Sequence, residues 1–521
     1  MRLTRRGLLE AAVVGMIPRA SEGPVFQVDD QKLQGAYDAA LTGARGNTRQ
    51  VNRFAGEVLI EGGVYPGTWL ECAPQEGLVY APWNADVATA NQRIFFEFQR
   101  TDGQLPCWVW FKQVGYGQIQ MVVPIAATAF ELYQRTHDAR LLDEAYGACS
   151  RWDAWLTKYR NTRGTGLCEL FCEYDTGHDN SPRVKGLPHE CPGGEAKNLP
   201  SGNALPWLAP DLSATVYGGR MALAKMASAM GKTSDAARWL ESAARIRGLI
   251  LSRLYDSKDA CFYDLNSENR LIRVRGDALT RVVGEHLPEQ TLFDEIWRAQ
   301  LGNPKAFWTK FPFPSIAIND PAFVRPIPQN SWGGSSQALT ALRAPRWMEH
   351  YGHHADLTRL MSQWVEAIAR TSAFLQQLDP ESGVFTRQGQ DYSPAILVLL
   401  DFAWRLYGVR EAGEELEWNC RLPQGSSRVE TSLPLRATPA GTASLVTGAQ
   451  ESTLSLGGKR ILRVTGRVRV VTNRAGDLLR IVGTEAGVQQ AGILFRDGRH
   501  LTRTVRANEV LDASAPQRGD G

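Results

Sequence analysis

The sequence predicts a mainly α-helical protein in which a large helical toroid is followed by a small β domain. Three observations predict this class. Amphipathic segments with helical spacing, on the order of twelve of them, run from about residue 30 to residue 408, with loops rich in Gly and Pro between them. Sustained strand alternation is absent before about residue 410. The composition, 43% hydrophobic and 22% charged in 521 residues, excludes intrinsic disorder for most of the chain.

The first segment, residues 1–21, has the features of a bacterial twin-arginine export signal. Arg5 and Arg6 precede a short apolar run from Leu8 to Ile17, and small residues follow Pro18. This run is shorter than the roughly 20 apolar residues that a membrane-spanning helix needs. We therefore expect a periplasmic or secreted protein with no membrane contact after the signal is cleaved. A frayed leading helix is the alternative.

The toroid is placed at residues 28–410, and its helices are bounded by capping residues, prolines and glycines. These start and stop signals are Asp138, Pro210 with Asp211, Gly231, Ser393 with Pro394, and Gly408. One helix is predicted from apolar residues at helical spacing, with Pro124 in its first turn. Its apolar positions are Ile119, Val122, Ala126, Phe130 and Tyr133.

A separate β-sandwich-like domain is predicted at residues 411–513, followed by a disordered tail at residues 514–521. Apolar and polar residues alternate with strand spacing, and Asp497 with Gly498 is a strong signal for a tight turn. The alternating apolar positions include Leu462, Val464, Val468 and Val470. Interleaved Arg residues in this stretch indicate a half-solvated sheet face rather than an anion site.

Charge and aromatic content narrow the classes of ligand. The chain has 58 Lys and Arg against 55 Asp and Glu, a net charge of only +3, and so lacks the positive field on which nucleic-acid binding depends. Its 15 Trp, 14 Tyr and 18 Phe can offer flat apolar faces to sugar rings. We therefore expect no nucleic-acid partner and leave the oligomeric state unassigned.

The longest connection between predicted helices, residues 159–210, contains an unusual polar cluster. Glu173, Asp175 and Asp179 lie close to His178 and Arg183. Such a cluster suits a solvated turn, a cation site or a catalytic platform. The acids lack the spacing of the common calcium-binding loop, and we predict neither a metal nor a cofactor.

Residues 175–183, Asp-Thr-Gly-His-Asp-Asn-Ser-Pro-Arg, resemble the motif of mannosylglycerate-hydrolase-like and family 63 glycoside hydrolases, which are relatives of trehalase. Other segments agree with the family in order, and the resemblance covers roughly residues 50 to 408. It implies an (α/α)6 barrel that cleaves a terminal sugar from a small glycoside or oligosaccharide. The other matching segments are residues 65–69, 98–106, 210–212, 330–334 and 379–383.

The resemblance also implies an inverting mechanism. One carboxyl group protonates the leaving oxygen while another deprotonates a water on the opposite face of the sugar. Asp179 takes the place of the general acid, and Asp175 would raise its pKa by adjacent charge. Asp175, His178 and Arg183 are expected to bind substrate, with orientation of the loop as the other role for Arg183. A turn-capping role is the alternative for Asp179.

The resemblance weakens at the second carboxyl. In the family, the base lies four residues before the Pro of the segment that corresponds to residues 379–383. This chain has Gln376 at that position, and we assign Gln376 to substrate binding. Asp391 is the first candidate for the base, followed by Glu381 and Asp379. Glu71 is expected to bind a sugar hydroxyl.

A glutamine at the base position leaves three other activities open: an inverting phosphorylase, a polysaccharide lyase and a carbohydrate-binding protein without turnover. Phosphate would be bound by Arg387, Ser335, Ser336 and His353 or His354. The lyase would use Tyr392, His178 and Arg183.

Two tryptophans, Trp69 and Trp332, are expected to line the sugar pocket by resemblance, and Gln118 is expected to bind hydroxyls. Four further residues either contact the sugar or have a packing or capping role: Trp108, Trp110, Tyr116 and Gln120. A last cluster offers four zinc ligands in an uncommon spacing, for which a disulfide such as Cys172 with Cys191, or free buried thiols, is the competing interpretation. Its members are Cys168, Cys172, His189 and Cys191.

Overall fold

The structure, a computed structural model, describes residues 23–202, 204–325, 332–386, 389–435 and 441–513. The predicted export signal at residues 1–21 and the predicted tail at residues 514–521 lie outside the described residues. Within them, the chain is mostly helical up to residue 407, as predicted. The helices are α1 (Gln31–Gly46), α2 (Ala73–Tyr80), α3 (Ala85–Glu97), α4 (Ile125–Thr136), α5 (Ala139–Tyr159), α6 (Pro210–Ala229), α7 (Thr233–Arg253), α8 (Ala278–Gly284), α9 (Gln290–Ile296), α10 (Ala338–Met348), α11 (His354–Thr371) and α12 (Ser393–Tyr407).

The strands fall into two groups along the chain. Strands before residue 400 are short and mostly lie in the loops between helices: β1 (Val25–Val28), β2 (Thr48–Gln50), β3 (Glu57–Leu59), β4 (Gly67–Trp69), β5 (Trp108–Trp110), β6 (Val114–Gly115), β7 (Glu169–Leu170), β8 (Trp207–Leu208), β9 (Tyr255–Asp256), β10 (Cys261–Phe262), β11 (Asp264–Leu265), β12 (Leu271–Ile272), β13 (Ser336–Gln337) and β14 (Gln377–Leu378). The later strands form the β domain: β15 (Val409–Ala412), β16 (Glu415–Cys420), β17 (Arg428–Pro434), β18 (Thr442–Gly448), β19 (Ser452–Leu456), β20 (Lys459–Thr465), β21 (Val468–Asn473), β22 (Leu478–Val482), β23 (Val488–Phe495), β24 (His500–Arg506) and β25 (Val510–Asp512).

The even-numbered helices form a closed cycle of contacts. Helix α2 contacts α4, and the cycle continues through α6, α8, α10 and α12 back to α2. Odd-numbered helices pack outside it, for example α7 on α6 and α1 on α12. Burial supports the two layers, because α12 is apolar and buried nearly all round whereas α7 buries only one narrow stripe.

The predicted helix boundaries are largely confirmed. Asp138 accepts hydrogen bonds from the backbone N–H groups of Arg140 and Leu141, and the helices opening at Pro210 and Ser393 begin where predicted. The prediction for the helix containing residues 119–133 was wrong at its start. It begins at Ile125, because Pro124 disfavours a helical conformation in the residue before it.

The β domain consists of two antiparallel sheets, one of seven strands and one of five. The N-terminal strand β1 joins the larger sheet by pairing with β17, so the chain enters the β domain before it forms the first helix. Strands β15 and β16 contact the larger sheet, and the predicted turn at Gly498 lies between β23 and β24.

A partly buried group of ion pairs around Glu349 joins the β domain to the helices. Glu349, just after α10, lies 3.2 Å from Arg469 of β21 and 3.0 Å from Arg405 of α12. Burial acts to raise the pKa of Glu349, but the surrounding guanidinium groups outweigh it and lower that pKa. The Arg-rich stretch at β20 and β21 thus includes one arginine that anchors the domain. Among the described residues, no helix has the length and apolar character needed to cross a bilayer.

Candidate active site

A buried ion pair between Arg160 and Asp175 fixes the polar cluster of residues 173–183. The Arg160 guanidinium donates to both carboxylate oxygens of Asp175, with a distance of 2.9 Å from Nη2 to Oδ1. The backbone N–H groups of Ile119, Phe171 and Cys172 donate to the same carboxylate. Asp175 is completely buried, so its predicted substrate contact is wrong, and its charge is neutralised by Arg160.

A second anchor fixes the end of the cluster. Every N–H of the buried Arg183 guanidinium has a partner: Asp211 and Asp264 each accept two hydrogen bonds at 2.6 to 2.7 Å, and His178 Nδ1 accepts one at 3.0 Å. Arg183 therefore has no donor left for a substrate group. It orients the loop, which is the second of the two predicted roles.

His178 is held as a neutral side chain. Its Nδ1 accepts from Arg183, which places the ring proton on Nε2, 2.7 Å from Asp277 Oδ1. Burial, reinforced by the charge of Arg281, lowers the pKa of His178 to about 4. The ring centroid lies 5.0 Å from that of the buried Trp332, so the structure brings these two predicted pocket residues together.

Glu71 reaches the motif because one residue there has no side chain. Gly177 has a φ of +64°, and a Cβ at this position would lie 1.7 Å from Glu71 Oε2. Gln120 Nε2 donates to the same oxygen at 3.1 Å, and Gln118 Nε2 donates to Gln120 at 3.0 Å. Burial raises the pKa of Glu71, while Arg343 and Arg281 oppose this effect.

Asp179 lies where the motif leaves the buried region. It is half-buried, and its backbone oxygen accepts from the N–H of Trp332 at 3.2 Å. Its carboxylate is close enough to act on two tyrosines. Burial raises the pKa of Tyr174 to about 12, with the charge of Asp179 as the next cause, and Asp179 likewise contributes to a raised pKa at Tyr65.

Tyr65 connects Asp179 to the position where a base was expected. Its hydroxyl donates to Gln376 Oε1 at 3.2 Å. Its ring lies edge-on to Trp69, with centroids 5.4 Å apart. The predicted residues Trp69 and Gln376 thus both contact Tyr65, whose pKa is also affected by the charge of Asp179.

The candidates for the second carboxyl do not lie there. Asp391 is exposed, and its Oδ1 lies 3.8 Å from a Cβ built on Gly43 of the outer helix α1, so the prediction that it is the base is wrong. Asp379 accepts backbone N–H groups in its own turn, and Glu381 pairs with Arg325 at 2.8 Å. These acids stabilise a surface loop.

Sequence reasoning missed a buried carboxyl group, Glu61. Its Oε1 accepts from the hydroxyl of Tyr392 at 2.9 Å, and its side chain is almost fully buried. Burial raises the pKa of Glu61 well above the usual range, and Glu76 and Glu71 add to this effect. After burial, the charge of Glu61 is the largest cause of the raised pKa at Tyr65. The signal was an acid after the apolar run 58–60.

Several residues proposed for the alternative activities have other partners in the structure. His353 pairs with Asp356 at 2.8 Å, and the hydroxyl of Ser336 donates to the backbone oxygen of Phe311. Ser335 lies in a buried backbone segment, and Arg387 lies outside the described residues. For the lyase, Arg183 lacks a free donor and Tyr392 is committed to Glu61.

The four candidate zinc ligands do not assemble. His189 pairs with Glu173 at 2.9 Å, away from the thiols. Cys172 and Cys191 have their sulfurs 3.8 Å apart and are free thiols beside Asp175. Arg160 Nη2 lies 3.6 Å from the sulfur of Cys191, and this positive charge opposes a cation there.

Comparison with known protein families identifies a match over most of the helical part of the chain. Residues 65–393 match the family model described as the mannosylglycerate hydrolase MGH1-like glycoside hydrolase domain. No curated protein sequence matches the chain significantly.

Solved structures share the fold at low sequence identity. A GH63 mannosylglycerate hydrolase from Thermus thermophilus, in complex with glucose, aligns with a TM-score of 0.57 and 18% identity over 70% of this chain and 99% of that chain. Neutral trehalase Nth1 from Saccharomyces cerevisiae aligns with a TM-score of 0.53 and 13% identity over 70% of this chain and 80% of that chain. A GH78 family rhamnosidase from Bacillus sp. GL1 aligns with a TM-score of 0.55 and 11% identity over 86% of this chain and 40% of that chain.

The family model covers more than half of the chain and includes both Asp179 and Gln376. The helical part therefore has the trehalase-like toroid fold. The chain belongs to the mannosylglycerate hydrolase MGH1-like glycoside hydrolase family and is a glycosidase.

Proposed function

We propose that this protein is an exported, inverting glycoside hydrolase with an (α/α)6 barrel, which removes a terminal sugar from a small glycoside or oligosaccharide. Asp179 is the general acid. The observation that carries the proposal is the position of Asp179, half-buried at the end of the motif and close to Tyr65, in a chain whose family is one of glycoside hydrolases. The closed cycle of even-numbered helices supports the barrel.

The side chains around Asp179 suit a sugar ring. Trp69 and Trp332 provide apolar faces, and Glu71, Gln118 and Gln376 provide polar groups for hydroxyls. Gln118 Oε1 is a buried acceptor without a hydrogen-bond partner among the described residues, as expected of a group that binds a ligand hydroxyl. The likeness to a mannosylglycerate hydrolase makes a mannoside the first substrate to test.

The second carboxyl of the mechanism is proposed to be Glu61. Glu71 Oε2 lies beside Gly177, two residues before Asp179. Glu61 accepts a hydrogen bond from Tyr392, whose ring centroid lies 6.0 Å from that of Tyr65, and we place it opposite Asp179 across the sugar. Inversion requires the two carboxyl groups on opposite faces of the sugar.

The test is turnover of a panel of unactivated disaccharides and methyl glycosides, α- and β-linked, whose leaving oxygen requires a proton, with and without inorganic phosphate. We expect phosphate-independent hydrolysis, and Asp179→Asn should lower kcat by about 10²- to 10⁴-fold, the usual contribution of a general acid. Proton NMR of the first product gives the anomer and so tests inversion. An active Asp179→Asn variant would refute the proposal, and strict phosphate dependence would favour the phosphorylase that Gln376 first suggested.

Export is tested separately. Expression of the full chain and of an Arg5→Lys, Arg6→Lys variant in a bacterium should give periplasmic and cytoplasmic protein respectively. Equal distribution of both would contradict a twin-arginine signal.

A further inference from the structure

Three tryptophans lie on one face of a small sheet next to the candidate pocket. Strands β4, β5 and β6 pair antiparallel, with Trp69 opposite Trp108 and Gly67 opposite Trp110. Side chains alternate along a strand, so Trp108 and Trp110 share the face of Trp69, whereas Val109 between them is completely buried on the other face. We name Trp69, Trp108 and Trp110 the indole face.

Two glycines allow the indoles to lie against the sheet. A Cβ on Gly115 would lie 2.1 Å from Cε2 of Trp108, and a Cβ on Gly67 would lie 2.6 Å from Cδ1 of Trp110. The rings of Trp108 and Trp110 stack, with centroids 4.4 Å apart and an interplanar angle of 28°. Packing on both sides fixes their orientation, which reduces the entropy lost when a ligand binds.

The indole face is continuous with the pocket. The centroid of Trp110 lies 5.9 Å from that of Trp69, and Trp69 contacts Tyr65, which donates to Gln376. Exposure increases outward along this path. Trp69 is 8% exposed, Trp108 and Trp110 are half-buried, and the neighbouring Phe111 is 42% exposed.

Because solvent exposure increases from Trp69 toward Phe111, the part of a substrate that contacts the indole face can be inferred. On the inner side, Glu71, His178 and Gln118 are buried, and the proposed function places the sugar that is cleaved next to them. The rest of the substrate must extend toward the open side. An exposed indole edge or face beside a sugar pocket suits the apolar face of another sugar ring.

We propose that the indole face is a subsite for a further sugar unit on the leaving-group side, so that the natural substrate is an oligosaccharide with at least one sugar beyond the scissile bond. This inference rests on the proposed function and extends it. Carbohydrate, rather than a lipid or protein partner, is the occupant because the face continues directly from the residues around Asp179.

The experiment compares two substrates of whichever sugar the glycoside panel identifies: its glycosyl fluoride, which has no group to reach the indole face, and a linear trisaccharide of the same sugar. Trp110→Ala should reduce the ratio of kcat/KM for the trisaccharide to that for the fluoride by about ten-fold, with the change mainly in KM. Trp110→Phe should recover part of this ratio. The matched control is Trp239→Ala, which removes a half-buried tryptophan on the outer helix α7 and should leave the ratio unchanged.

An equal loss on both substrates would overturn the subsite, because it would show that Trp110 only supports the pocket. Selective loss on an octyl glycoside, with the trisaccharide unaffected, would overturn it in favour of an apolar aglycone. Hydrolysis of the glycosyl fluoride by the native protein tests the proposed function on its own. Thermal unfolding of each variant excludes misfolding as the cause.

Discussion

The hydroxyl of Tyr65 donates a hydrogen bond to the side-chain oxygen of Gln376, where the family resemblance leads one to expect a carboxylate. A carboxylate in that place would accept the same hydrogen bond with an additional negative charge. The amide accepts the bond but cannot take a proton from water. This pair is therefore the clearest difference between this chain and the pattern its motif implies.

Restoring the carboxylate tests the meaning of that difference. Because Glu61 is the proposed base, we expect Gln376→Glu to leave kcat for hydrolysis unchanged or to lower it. The measurement is steady-state hydrolysis of the best glycoside, with the exposed Gln290→Glu as the control for added charge. A rise in kcat of about ten-fold or more would show that position 376 faces the reacting water, and it would contradict the assignment of the base to Glu61.

Removing the charge of Glu61 tests the proposed second carboxyl. Glu61→Gln keeps a side chain that can accept from Tyr392, but it cannot accept a proton from water. We expect kcat to fall by about 10²-fold or more, with the melting temperature little changed. The control is Glu57→Gln, an exposed glutamate in β3. If Glu61→Gln keeps full activity while Glu71→Gln loses it, the assignment passes to Glu71.

All five N–H groups of the Arg183 guanidinium have hydrogen-bond acceptors, so we predict that replacing Arg183 by lysine strongly lowers the stability of the fold. Arg183→Lys offers three N–H donors to groups that now receive five, and it leaves Asp211 and Asp264 buried with less compensation. We expect a loss of about 3 to 5 kcal/mol in the free energy of unfolding, measured with urea. Arg245→Lys, which changes an exposed pair with Glu241, should cost little. A loss below about 1 kcal/mol at position 183 would contradict the structural role.

His178 predicts a pH dependence of stability. Its pKa is lowered from 6.5 to about 4 in the folded state, so the unfolded chain binds more protons between these values. Stability should therefore fall as the pH decreases from about 6.5 to about 4, and His178 should contribute about 3 kcal/mol to that fall.

The test is urea unfolding of His178→Asn across this pH range. The slope of stability against pH should become shallower than in the native protein. It should not vanish, because the pKa of His286 is also lowered to about 4 and this residue still contributes to the slope. The exposed His500→Asn should leave the slope unchanged. An unaltered slope in His178→Asn would show that the ring is protonated in the folded state or is not buried.

Local rules were sufficient for much of the fold. Asp138, Pro210 and Ser393 mark helix starts through interactions within a few residues, and the structure has them there. The start of α4 shows the limit of periodicity, because Ile119 and Val122 are buried by the loop rather than by a helix. The entry of β1 into the larger sheet depends on pairing with residues about 400 positions away, which no local pattern records.

The helical class, the strand-rich C-terminal region and the motif around Asp179 could all be read from the amino-acid order, because periodicity, turn residues and a contiguous motif are local. The folded arrangement decided which charged side chains can contact a substrate. Folding buried Asp175 against Arg160, used every donor of Arg183, turned Asp391 toward the outer helix α1 and brought Glu61 near Tyr65. The physical reason is that a buried charge is stable only with partners, and those partners come from distant parts of the chain.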